Sequence, residues 1–179
     1  PAMTPSGPRN RLASLIRDIP DFPRPGIVFK DITPLLRDPE GLRLACQLLA
    51  ANYLECKVDL VVGIESRGFI FAAPVALALG AGFSLARKRG KLPGMTVAAS
   101  YALEYGDAEI ELQRDAVAAG QRVLLVDDVI ATGGTAVATA RLVRELGGVV
   151  VGACFLIELA FLEGRKLLAG LPVEAVLRF

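Results

Sequence analysis

The sequence predicts an α/β fold: a doubly wound, mainly parallel twisted sheet covered by helices, with a projecting β-flap. Three observations carry this. Apolar runs of strand length at 58–64, 123–126 and 149–159 alternate with helix-patterned segments at 38–53, 69–79 and 135–146. Those strand runs are nearly unbroken rather than alternating, as strands buried on both faces are. Gly80 and the Gly147-Gly148 pair stand where helices should stop.

Taken in order, residues 1–9 are expected to be a disordered tail, with Pro1-Ala2-Met3 reading as a tag remnant before the native Met. Residues 10–179 are expected to form one domain, long enough to bury a sizeable core. Leu12, Leu15, Ile16 and Ile19 recur at helical spacing, so a short helix is expected over 10–18, ended by Pro20 and Pro23. Segment 21–34 has too many prolines for a helix and reads as an ordered loop with an extended piece at 27–30, at a surface or pocket rim. Asp38-Pro39-Glu40 opens the next helix with a cap, a proline at its first position and an acid in its first turn.

After the strand at 58–64, Glu65-Ser66-Arg67-Gly68 leads into a helix over 69–79 that is apolar all round. Such a helix is expected to be covered by the sheet on one side and by a partner subunit on another, making a homodimer. A strand over 82–88 follows. Residues 96–105 and 108–113 read as two strands joined through Tyr105-Gly106-Asp107. In the second, Ala108, Ile110 and Leu112 alternate with Glu109, Glu111 and Gln113, so one face is expected to be solvated. The ribbon over 92–116 is thus a candidate flap, able to close over a ligand. Residues 161–168 are expected as a short helix before a last strand at 173–177.

The run 123–135 organises the chain. Four apolar residues lead to Asp127 and Asp128, then to Ala131, Thr132, Gly133, Gly134 and Thr135, then to a helix. The turn offers backbone N–H groups and hydroxyls around an anion, and the glycines allow close approach. The helix that follows points its free N–H groups at the same spot. The acidic pair suits hydroxyls, or a divalent ion carried by a substrate. A phosphate joined to a ribose meets both demands. The P-loop lysine of GxxxxGK[ST] is missing, as is the GxGxxG dinucleotide fingerprint.

Two further strand ends carry unusual groups. Glu65-Ser66-Arg67-Gly68 suits a pyrophosphate, although a plain helix cap would explain Ser66 alone. Arg87, Lys88 and Lys91 read either as a solvated charged face or as cations for a leaving pyrophosphate. Composition excludes other classes. A formal net charge of +1 argues against a nucleic-acid binder. No apolar run is long and isolated enough to span a membrane. The three cysteines match no metal spacing, so a reducing compartment, the cytoplasm, is expected, with no metal site built by the chain itself. With no histidine, acid–base work falls to Asp, Glu, Lys, Tyr or Cys.

The run 123–135 resembles the phosphoribosyl-pyrophosphate (PRPP) motif of type I phosphoribosyltransferases. From about residue 10 onward the chain is similar to the adenine-using branch of that family, on Phe29, on Arg87-Lys88-Arg89-Gly90-Lys91 and on residues 99–106. The resemblance implies transfer of phosphoribose from PRPP to adenine, giving AMP and pyrophosphate, with Mg²⁺ carried by PRPP. It implies a small N-terminal hood over 10–35, where Phe29 stacks on the base and the backbone of Val28 and Lys30 reads its edge. It implies a pyrophosphate loop at Glu65, Ser66 and Arg67, with an often cis peptide at Glu65-Ser66, approach of Arg87 and Lys88 to the same group, and approach of Lys91 from the dimer partner's side. Glu104 on the flap, with Tyr105 beside it, faces the base and joins Arg67 as a catalytic residue. Relatives often have Asp at position 65 and Arg at position 30, departures that leave the backbone roles intact. Two other readings share the sugar site: a phosphoribosyltransferase for another purine or xanthine, and a PRPP-sensing regulator. The regulator would want a DNA-binding segment and more basic charge.

Overall fold

The computed structural model describes residues 7–102 and 107–179. Its centre is a seven-stranded sheet built from β3 (Leu60–Ile64), β4 (Gly82–Lys88), β5 (Thr96–Ala102), β6 (Asp107–Gln113), β7 (Arg122–Ile130), β8 (Val149–Glu158) and β9 (Val173–Arg178). The order is β5-β6-β4-β3-β7-β8-β9, parallel from β4 to β9 and antiparallel where β6 joins β4 and β5. The chain runs outward from β3 to β4, then crosses back to β7 and continues the other way. The order therefore reverses between β3 and β7, and in such sheets ligands bind beyond the carboxyl ends of the strands at that reversal.

Successive β7 residues face opposite layers. Leu124 and Val126 pack with α3 (Pro39–Ala51) and α4 (Gly68–Leu79), while Val123 and Leu125 pack with α5 (Gly134–Glu145). Asp38 caps α3 as expected, its side chain accepting from the Gly41 amide at 3.0 Å. Gly80, left-handed at φ 64, ends α4.

Several expectations need correction. The first helix, α1, is Pro8–Ser14 and not 10–18. Residues after it form β1 (Arg17–Pro20), antiparallel to β2 (Val28–Asp31). Buried Asp31 draws them together, accepting from Arg17 Nε at 3.0 Å and Nη2 at 2.6 Å. The segment read as helix-free ends in a short helix, α2 (Thr33–Arg37), with Pro34 tolerated in its first turn. The ribbon face carrying Glu111 is not solvated there. β6 lies between β4 and β5, so Glu111 is only 7% exposed and accepts from the Gly90 amide at 3.0 Å. Residues 161–168 are two short 3₁₀ segments, Ala160–Leu162 and Gly164–Leu168, split at Glu163, whose φ of 54 is left-handed. Among the described residues β6 pairs with β4 at Arg87 with Glu111 and Lys88 with Ile110, and Ala99, Ile110 and Leu112 of the ribbon pack in the core against α5.

The all-apolar α4 is covered by the sheet on one side and by α3 on another, and part of its surface stays open. Leu77 is 82% exposed, and Ile70, Phe83 and Leu85 are also exposed. An apolar groove beside them is lined by Leu42, Cys46, Pro74 and Ala78.

Candidate active site

β3 and β7 are paired neighbours, and the glycine that opens α4 lets the loop after β3 close against the end of β7. A Cβ on Gly68 would lie 2.7 Å from Asp127 Oδ1 and 3.0 Å from both Asp127 Cα and the Val126 carbonyl oxygen. Only glycine lets the loop after β3 approach the acidic pair this closely. The Asp128 amide donates to Asp127 Oδ1 at 2.8 Å, which holds the Asp127 carboxylate close against its neighbour. Burial, and next the Asp128 carboxylate, push the Asp127 pKa well above the usual carboxylate range.

Arg67 links this pair to the hood. Its Nε donates to Asp128 Oδ2, and its guanidinium lies 5.3 Å from the centre of the Phe29 ring. Phe29 is held edge-on by Phe22, ring centres 5.2 Å apart. Lys30 turns its ammonium away, to Asp18 at 2.7 Å and over the Phe179 ring at 4.4 Å. Lys30 therefore offers the site its backbone rather than its charge. Val28 and Lys30, two apart on a strand, direct their backbone groups to the same edge of β2.

The Glu65–Ser66 peptide is cis, at the position the family resemblance implies. Ser66 makes no helix cap: Arg67 is the N-cap of α4, without a side-chain capping bond. Glu65 organises the cations. Its carboxylate accepts from the Lys88 amide at 2.8 Å and Arg87 Nε at 3.2 Å, with Lys91 Nζ at 3.6 Å. Burial alone would raise its pKa; the Lys88 amide and the Arg87 and Lys91 charges outweigh this and hold it below the ordinary value.

These parts converge on one cavity of about 450 Å³. Val28, Phe29, Lys30, Glu65, Ser66, Arg67, Lys88, Asp127, Asp128 and Ala131 line it. A smaller cavity of about 90 Å³ adjoins it, lined by Asp127 and by the loop and helix start at Ala131, Thr132, Gly133, Gly134 and Thr135. Gly133 has φ +86, and the backbone turns there so that α5 begins facing this space. Arg87 and Lys91 line neither cavity; Glu65 holds them one step back. Glu104 and Tyr105 lie outside the described residues. Sequence reasoning missed Ile27, Val129 and Leu159, which also line the larger cavity. Leu159 directly follows a strand parallel to β7 and reaches the site through register, its amide donating to the Ile130 carbonyl at 3.0 Å.

A family model described as phosphoribosyl transferase domain matches residues 35–167. The adenine phosphoribosyltransferase of Thermobifida fusca is 58% identical, over 90% of this chain and 92% of its own. The crystal structure of the adenine phosphoribosyltransferase of Rhodothermus marinus superposes with a TM-score of 0.92 at 56% identity, covering 96% of this chain and 98% of that one. The Saccharomyces cerevisiae enzyme, solved with an imino-altritol bisphosphate and adenine, gives a TM-score of 0.88 at 42% identity, covering 94% of this chain and 98% of that one. The chain belongs to the phosphoribosyltransferase family. Its place within that family is among the adenine phosphoribosyltransferases, enzymes that join adenine to the phosphoribosyl group of PRPP.

The raised Asp127 pKa has a definite sign in stability. The unfolded chain loses this proton near 3.8 and the folded chain at higher pH, so folding weakens as pH rises between the two values. Asp127→Asn should unfold at higher urea than the unsubstituted protein at neutral pH, and the advantage should vanish below about pH 4. A variant less stable at neutral pH would contradict the crowding of this carboxyl by Asp128.

Proposed function

We propose that this chain makes AMP and pyrophosphate from adenine and PRPP, with the roles of its residues divided along the cavity. The convergence of β2, the 65–67 loop and the 127–135 run on one 450 Å³ space supports this most directly. The loop 131–135 takes the 5′-phosphate on its amides and hydroxyls. Asp127 and Asp128 take the ribose hydroxyls, directly or through Mg²⁺ that arrives with PRPP. Among the described residues no group of three or more His, Cys, Asp or Glu side chains is placed to hold a metal. Asp127 and Asp128 would hold such an ion together with the substrate, and it would supply positive charge to the leaving oxygens.

Held at both ends, C1′ stands between base and leaving group. The C1′–O bond breaks toward pyrophosphate, the C1′–N9 bond forms, and adenine loses its N9 proton. Positive charge builds on the ribose and is stabilised by the acidic pair. Negative charge on the leaving oxygens is met by the Ser66 and Arg67 loop, by Lys88, and by Arg87 and Lys91 swung from Glu65. Phe29 stacks on the adenine ring, while a carbonyl and an amide of Val28 and Lys30 pair with its amine and a ring nitrogen. A 6-oxopurine would reverse that donor–acceptor order. Glu104, with Tyr105 beside it, receives the N9 proton or polarises the ring when the 92–116 flap closes over the hood of residues 10–35. Residues 10–179 act as one cytoplasmic domain.

Initial rates of pyrophosphate release with adenine, hypoxanthine and guanine in parallel test the base assignment. Adenine should be preferred strongly, and Glu104→Ala should lower turnover by about a hundredfold or more. Equal rates with all three bases, or an unaffected variant, would refute it. The exposed face of Ile70, Leu77, Phe83 and Leu85 supports a homodimer through α4 and β4. Sedimentation at micromolar concentration should give twice the chain mass, and Leu77→Glu should shift it toward the monomer. A monomeric unsubstituted protein would contradict this.

A further inference from the structure

The 3₁₀ segment Gly164–Leu168, between β8 and β9, lies outside both the motif and the two cavities, yet it touches the phosphate loop. Gly164 is buried with its backbone against residues 131–133. A Cβ there would collide with the Ala131 carbonyl oxygen and lie 2.8 Å from the Gly133 amide nitrogen and the Thr132 carbonyl carbon. From the other side, a Cβ on Gly133 would collide with the Gly164 carbonyl oxygen. The contact is backbone on backbone and leaves no room for a side chain on either partner.

A charge cluster around one buried carboxylate fixes this contact. Glu158, only 3% exposed, ends β8 directly across from Ile130 of β7. Arg165 Nε reaches Glu158 Oε1 at 3.0 Å and its Nη2 reaches Oε2 at 2.7 Å, while Nη1 donates to the Val173 carbonyl. Arg178 Nε lies 3.2 Å from the same carboxylate. Arg165 directly follows Gly164, so its clamp sets where Gly164 sits. Glu158 is thus tied to the strand that feeds the loop and to the residue that presses on it. Buried ion pairs seldom add stability over apolar packing, but a bidentate pair fixes geometry.

We propose that Glu158, Arg165 and Gly164 form a brace that sets the conformation of the loop at 131–135, and so its affinity for a phosphomonoester. Glu158 and Arg165 are positioning residues. The proposal rests on the reading that this loop takes the 5′-phosphate of PRPP. Ribose 5-phosphate and pyrophosphate, titrated separately by calorimetry into the full chain, test it with Gly164→Ala, Glu158→Gln and Thr135→Ala. Gly164→Ala and Glu158→Gln should each weaken ribose 5-phosphate by about tenfold or more and leave pyrophosphate within about twofold. Equal loss of both ligands would mark a general structural role and overturn the brace. Unchanged ribose 5-phosphate affinity in both, with Thr135→Ala weakened, would overturn the brace and leave the loop reading standing. An unaffected Thr135→Ala would remove the loop reading and the brace with it. If circular dichroism shows Gly164→Ala unfolded, the isosteric Glu158→Gln decides by the same criteria.

Discussion

The approach of Gly68 to Asp127 is the constraint on which the site depends. With 2.7 Å to the nearest carboxylate oxygen, no side chain fits at position 68. That closeness lets α4 start against the end of β7, and it sets the 65–67 loop beside the acidic pair. Sheet topology supplies the rest: the strand order reverses between β3 and β7, so both loops leave the sheet on the same rim. The hood then needs only Arg67, lying between Asp128 and Phe29, to continue the same wall.

Within the chain, three cations at this site are already paired with its carboxylates. Arg67 sits on Asp128, and Arg87 and Lys91 sit on Glu65. Pairing spares these groups the cost of standing partly buried and alone. It also means that a pyrophosphate bringing its own negative charge and Mg²⁺ exchanges partners rather than filling a bare pocket. Glu65 thereby gains a use that a loop of backbone amides alone would not have: it keeps the cations near, but out of the cavity. Asp127 carries the opposite bias. It holds a proton more firmly than a solvated aspartate, and a divalent ion or ribose hydroxyl would have to compete for that oxygen.

The central run was legible because its signal is local: an apolar strand, two acids, small residues and a helix in unbroken sequence. The 65–68 break and the cap at Asp38 were legible for the same reason. What was missed depends on partners distant in sequence. Residues 15–20 carry helical spacing, but Asp31 recruits Arg17 and β2 pairs with β1, so tertiary pairing overrides the pattern. Glu111 alternates as a solvated residue should, yet β4 covers it and the Gly90 amide satisfies it. Leu159 and Gly164 reach the site through parallel register and backbone contact, which no spacing along the chain encodes. Arg87 pairs with a carboxylate 22 residues earlier, a contact that local spacing does not encode.

The central claim is that a sugar phosphate lodges where β7 gives way to the turn at 131–135. A crystal structure of the protein with AMP tests it most directly. The account places the 5′-phosphate oxygens about 2.7–3.2 Å from the amides and hydroxyls of residues 132–135, the ribose hydroxyls at Asp127 and Asp128, and the adenine ring on Phe29. A phosphate bound away from that turn, with the nucleotide seated elsewhere, would contradict it.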